Sequence, residues 1–241
     1  ETDSYRIIRN GDGLIAQENK LKSSIPHYIG SSVVTPDDWL RVKKEKLNPD
    51  TPERRFDSED IEYLKEQHPP ERDYPLCVNC GSMIGKIRDM LTFEGLAYAC
   101  YDYPEMVEDM VETCCRIVED SLDMLLPHFD FDLASGWEDI CFKNGPIVSV
   151  DFFNKVVKPR YKRIRKKLDE FGIDLWYTDC DGDVRPILPA MLEGGINCLF
   201  PFEVNGCAHP SVLLNEHGEQ LRIMGGVDKM ALGEGPKAIK A

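Results

Sequence analysis

The stretch IDLWYTDCDGDVRP, Ile173 to Pro186, carries an apolar, aromatic run straight into three aspartates at alternate positions, Asp179, Asp181 and Asp183. Such a run, bounded by turn residues, reads as a buried strand. A core strand has no packing reason to end in carboxylates. In parallel α/β sheets, however, ligands sit at the carboxyl ends of the strands, and polar groups collect there. If the chain stays extended to Asp181, the two-residue period sends Asp179 and Asp181 to the same side. Gly182 then releases the chain into a loop, and Asp183 belongs to the Asp-Gly turn.

The neighbouring sequence has the same organisation. From Tyr74 onward, strand-length apolar runs alternate with longer stretches of helical period. YPLCVNC precedes a helix over PEMVEDMVETCCRIVEDSLDMLL, whose apolar stripe is Met106, Val107, Met110, Val111, Ile117, Val118, Leu122 and Leu125. FDFDLASGWED follows, then a helix capped by Ser149, kinked at Pro159 and ended by Gly172. IDLWYTD leads into the short helix RPILPAMLEGG, INCLFPFEV into a helix near residues 209 to 217, and QLRIMGGVDK is the fifth strand. Five β/α units in series specify a parallel sheet. Four of the five strands end in carboxylates, namely Glu138 with Asp139, Asp179 with Asp181, Glu203, and Asp228.

Residues 1–73 read differently. YRIIRNGDGLIAQE alternates on both sides of Asn10-Gly11-Asp12-Gly13, a hairpin signal. A helix starts at Thr35 with Pro36 in its first position, another spans SEDIEYLKEQH, and no core of its own is evident. The expected division is an N-terminal hairpin and irregular helical segment, 1–73, packed on the β/α units of 74–241.

With 42% hydrophobic and 30% charged residues over 241 positions, the composition is that of an ordinary globular protein. A net charge of −14 excludes general affinity for nucleic acid or anionic membrane. No apolar run approaches the roughly 20 residues that span a bilayer. Nine scattered cysteines, two of them adjacent at Cys114 and Cys115, fit reduced thiols and a cytoplasmic protein.

Three ordered blocks, GWEDICFKNGPIVSVDFFNKVVKPRYKRI (Gly136 to Ile164), TDCDGDVRPILPAMLEGGINCLFPFEV (Thr178 to Val204) and LRIMGGVDKMAL (Leu221 to Leu232), resemble the uroporphyrinogen decarboxylase superfamily. That superfamily holds the haem-pathway decarboxylase and methyltransferases that move methyl groups between small molecules, a corrinoid and thiols. The resemblance implies a (β/α)8 TIM-type barrel, of which this chain carries about five units, resembling the third to seventh. It also implies a homodimer.

In the superfamily's zinc-dependent methyltransferases the strand matching WYTDCDGD carries a His-x-Cys metal pair. Asp179 and Asp181 stand at those positions, so the resemblance leaves room for zinc or a harder divalent cation held by Asp179, Asp181 and Glu203. The decarboxylases place a tyrosine where this chain has Arg88 and Asp89. The reading that follows is a small-molecule methyltransferase demethylating a methoxylated or methylated compound toward a corrinoid. The corrinoid is carried by a partner protein, because the chain has no cobalt-ligating Asp-x-His-x-x-Gly motif. The alternatives are uroporphyrinogen decarboxylation and a catalytically silent barrel that binds a ligand.

The candidate catalytic residues are Glu138, Asp139, Asp179 and Asp181, crowded carboxylates that raise one another's pKa and supply a general acid. Candidate substrate contacts are Lys143 and Asn144 in FKNGP, Arg88, Gly225 in GGVDK, and Asp228. Among weaker features, Cys77 and Cys80 fall on opposite strand faces, Cys207 and His209 make a candidate ligand pair, and His27 reads as structural. The basic run KPRYKRIRKK reads as a solvated helix face.

Overall fold

A computed structural model describes residues 4–11, 13–21, 26–48 and 56–239. In chain order the strands are β1 Tyr5–Arg9, β2 Ile15–Asn19, β3 His27–Gly30, β4 Cys77–Asn79, β5 Leu133–Trp137, β6 Cys141–Phe142, β7 Gly145–Pro146, β8 Trp176–Asp179, β9 Cys198–Phe202 and β10 Arg222–Gly225. The α-helices are α1 Pro36–Lys46, α2 Ser58–Gln67, α3 Gly85–Leu91, α4 Phe93–Asp102, α5 Pro104–Leu125, α6 Val150–Phe152, α7 Lys158–Glu170, α8 Leu188–Gly194, α9 Pro210–His217, α10 Lys229–Glu234 and α11 Pro236–Ile239.

All five expected strands form one parallel sheet in the order β10-β9-β8-β5-β4. Each strand lies beside the one preceding it in this sheet, so the winding never reverses. That is the order of a barrel wall and not of a doubly wound sheet. Among the described residues β4 and β10 do not pair with each other. The architecture is therefore a five-stranded parallel α/β sheet flanked by helices, compatible with part of a TIM-like barrel, and the eight-stranded closure implied by the resemblance is not observed.

Register divides the sheet into two faces. Val78, Ala134, Trp176, Thr178 and Leu199 are buried on one face, where Trp176 stacks edge-on against Tyr161 of α7. The opposite face carries Asn79, Ser135, Trp137, Tyr177, Asp179 and Phe200, which are exposed or half-buried.

α5 buries Met106, Val107, Met110, Val111, Cys114, Cys115, Val118 and Leu122. α7 packs against both α5 and α8. Ahead of α7 the chain runs as a π-helix, Phe153–Val157, and Pro159 sits in the first turn that follows. Proline has no N–H to give the carbonyl four residues back, which accounts for the wide turn where a kink is expected. The basic run is not simply solvated. Arg160 bonds Glu108 and Glu112 of α5 at 3.1 and 2.9 Å, and Arg163 bonds Glu112 at 2.8 Å and also Glu119.

The N-terminal hairpin forms as β1 and β2, with Leu14 N–H donating to Asn10 Oδ1 at 2.9 Å. Asp12 of its turn lies outside the described residues. β3 joins as an antiparallel third strand that the sequence reading did not anticipate. Thr35 caps α1 in a capping box with Asp38. This segment does share a core: Val33, Trp39 and Val42 belong to the hydrophobic cluster that includes α5. Trp39 Nε1 donates to Asp109 of α5 at 2.7 Å.

Candidate functional site

Parallel strand ends bring the acidic residues together. Glu138 and Asp139 follow β5, and their N–H groups both donate to the Asp179 carbonyl, at 2.7 and 3.1 Å. Asp139 thereby turns over the end of β8 with φ +43°.

Glu138 is 2% exposed, and its carboxylate is fully occupied. It accepts from Met83 N–H (2.8 Å), Ile84 N–H (2.8 Å), Gly85 N–H (2.9 Å), Ser82 Oγ (3.1 Å) and Tyr161 OH (2.5 Å). These backbone donors open α3, so Glu138 satisfies that helix's N-terminal amides from a distant strand. Gly85 permits the approach, since a Cβ there would stand 2.3 Å from the Glu138 carbonyl oxygen. Held this way, Glu138 anchors the edge and has no lone pair turned toward a substrate, which removes it from the catalytic set expected for it.

Asp179 and Asp181 are both half-buried. Burial, then the neighbouring carboxylates of Asp181 and Asp139, pushes Asp179 above its ordinary value. Burial, then Glu203 and Asp139, does the same to Asp181, against the pull of Lys229. Asp183 is lowered, chiefly by its two bonds from Arg185 at 2.7 Å, which assigns it to the turn. Gly182, at φ +80°, lies so close to β6 that a Cβ would sit 2.5 Å from the Cys141 carbonyl oxygen.

Asp139 is bonded by Arg88 at 2.9 Å. Arg88 also bonds Asp89 at 3.0 Å and lies over the Trp137 ring at 5.9 Å. Burial opposes its charge, but the bonds to Asp139 and Asp89 prevail and raise it. Lys143 and Asn144 form the exposed two-residue turn between β6 and β7, and the Lys143 charge reaches Glu203. Gly225 and Asp228 have local structural duties. A Cβ on Gly225 would meet the Phe202 nitrogen at 2.6 Å, and the β9–β10 register shifts there, so the close backbone approach is to β9. Asp228 caps α10 through Met230 N–H and accepts from Asn205 at 2.7 Å.

Glu203 is paired with Lys229, whose hydrogen bond lowers it. Among the described residues no group of three or more His, Cys, Asp or Glu is placed to hold a metal ion. The trio Asp179, Asp181 and Glu203 therefore does not fit a divalent cation as arranged, and no step below passes through one. Cys207 contacts Asp183 at 3.8 Å while His209 caps α9, so they form no ligand pair. Cys77 is exposed and Cys80 buried, and all nine cysteines are free thiols. His27 is exposed on the edge strand β3.

The residues missed in the sequence are Trp137, Tyr177 and Phe200, whose rings flank Asp179 on the same sheet face; Tyr177 and Phe200 meet edge-on at 5.5 Å. Their signal was strand alternation. Trp137 pairs in register with Asp179, and Tyr177 lies two residues before it.

No protein-family model matches the chain, and no curated protein does. In fold the chain is similar to a methyltransferase from Methanosarcina mazei. The TM-score is 0.54 at 16% identity, over 86% of this chain and 57% of the other, so the chain spans little more than half of that protein's length. At this identity the likeness bears on fold alone. No helix among the described residues is long and apolar enough to cross a membrane.

Proposed function

We propose that this chain carries the catalytic edge of a methyltransferase of the uroporphyrinogen decarboxylase superfamily. It would demethylate a small methoxylated or methylated compound and pass the methyl group to a corrinoid on a partner protein. The observation that carries the reading is the pair of carboxyls, Asp179 and Asp181, held above their ordinary values at the strand ends beside an aromatic wall. The fold likeness supports it.

The corrinoid supplies the nucleophile that accepts the methyl group. As the bond from methyl carbon to oxygen breaks, its electron pair stays on the leaving oxygen, which needs a proton. A carboxyl whose pKa is raised stays protonated nearer to neutral pH and can donate it. Asp179, beside Trp137, Tyr177 and Phe200, is the donor in this scheme, and Asp181 and Asp139 maintain its proton through their charge. Arg88 holds Asp139 in place. The acidic edge argues against a porphyrinogen, whose several carboxylates would be repelled.

The test is an assay with a panel of methoxylated aromatic donors and reduced cobalamin, following the corrin absorption. Transfer should occur with at least one donor, and Asp179→Asn should lower kcat by about 100-fold or more, the usual contribution of a general acid. Absence of transfer with every donor, or an unchanged Asp179→Asn variant, would reject the proposal. Release of CO2 from a porphyrinogen would assign the edge to decarboxylation.

A further inference from the structure

A cavity of about 550 Å³ opens between the N-terminal sheet and α4. Tyr28, Tyr98 and Tyr103 line it together with Glu94 and Asp102. Glu94, Tyr98 and Asp102 are four residues apart along α4, so they stack on one helix face with the ring between the two carboxylates. The outer pair is separated by ~12 Å along the helix axis. Gly95 and Ala99 lie beside them and keep the floor shallow.

Two features give this cavity a sign. None of the residues lining it is lysine or arginine, and among the described residues neither Glu94 nor Asp102 has an ion-pair partner. The three tyrosines remain 46%, 69% and 39% exposed, a large aromatic surface for one mouth. Aromatic faces attract cations, and they favour weakly hydrated organic ammonium ions over small ions that hold their water. Carboxylates at either end add long-range attraction for the same charge.

From this arrangement we propose that the cavity binds a small organic ammonium ion, its alkylated head against the tyrosine rings and its charge between Glu94 and Asp102. None of the strand-end carboxylates lines the cavity, and the proposal does not depend on the methyltransferase reading.

The probe is choline, titrated into the full chain by calorimetry and compared with its neutral isostere 3,3-dimethylbutan-1-ol. Choline should bind, and the isostere should bind at least about tenfold more weakly, because it keeps the shape and loses the charge. Tyr98→Leu and the double variant Glu94→Gln/Asp102→Asn should each weaken choline by about tenfold. Both change exposed positions, so circular dichroism should remain that of the parent. Asp179→Asn should leave choline affinity unchanged, which separates this proposal from the catalytic one. Equal binding of choline and the isostere would reduce the cavity to an apolar groove and overturn the inference. Absence of choline binding at millimolar concentration, or loss of it in Asp179→Asn alone, would also overturn it.

Discussion

Two carboxylates at one sheet edge, Glu138 and Asp179, stand in unlike surroundings. Glu138 is buried but receives five donors, which is how a buried charge becomes tolerable. Glu138→Ala would leave the amides opening α3 without acceptors, and it should cost about 3–5 kcal/mol in urea unfolding. Asp179 has partial burial and like-charged neighbours instead of donors. Because its folded pKa lies above the ordinary 3.8, the folded chain binds more protons than the unfolded chain as pH rises from about that value. Stability from this group is complete at low pH and is lost as pH climbs through the raised pKa. Asp179→Asn should accordingly raise Tm at pH 7, with the gain vanishing below the ordinary carboxylate range, while activity falls. A thermal scan against pH checks both limbs; a lower Tm at pH 7 would mean that the carboxylate is favourably paired. That the strand ends are acidic was legible in the sequence. Which carboxylate is anchored and which is poised was not, because that depends on donors in α3 and α7, more than 20 residues away.

Among the elements, those with local signals were legible: five apolar runs, the Thr35 cap, and the Asn-Gly hairpin. α3 and α4 were not, and the structure gives the reason. Ile84, which precedes α3, makes no side-chain cap bond, since its amides are served by Glu138 instead. Thr92 caps α4 from a positive φ of 70°, a conformation threonine seldom adopts. The loop after β8 is built on a similar constraint. Gly182 combines φ +80° with contact against the β6 backbone, where Asp183 N–H donates to the Phe142 carbonyl at 2.9 Å. Gly182→Ala must strain the backbone and push the loop off β6. It should cost roughly 1–3 kcal/mol and displace Asp181. Because the Asp181 charge helps to hold the proton on Asp179, the alkaline limb of the pH–rate profile should shift in this variant. An unchanged profile with lowered stability would confine the role of Gly182 to folding.

At the scale of the molecule, the sequence sets residues 1–73 apart as a segment packed on the β/α units, because the first part lacks an apolar period of its own. The structure joins them through several side chains: Val33, Trp39 and Val42 belong to the cluster over α5, Asp109 receives both Trp39 Nε1 and Lys43, and Arg72 bonds Asp132 at 2.7 Å. Trp39, at 1% exposure, is the largest of these side chains in the shared cluster. Trp39→Ala removes a large fully buried side chain and leaves Asp109 with one donor fewer, at a cost of about 3–5 kcal/mol. If the cluster is one cooperative unit, that loss should appear as a single shift of the urea midpoint, equal by far-UV circular dichroism, which reports α5 and α7, and by near-UV circular dichroism, which reports packed aromatic rings. A two-step curve in which only the early step moves would show that residues 1–73 unfold independently of the parallel sheet.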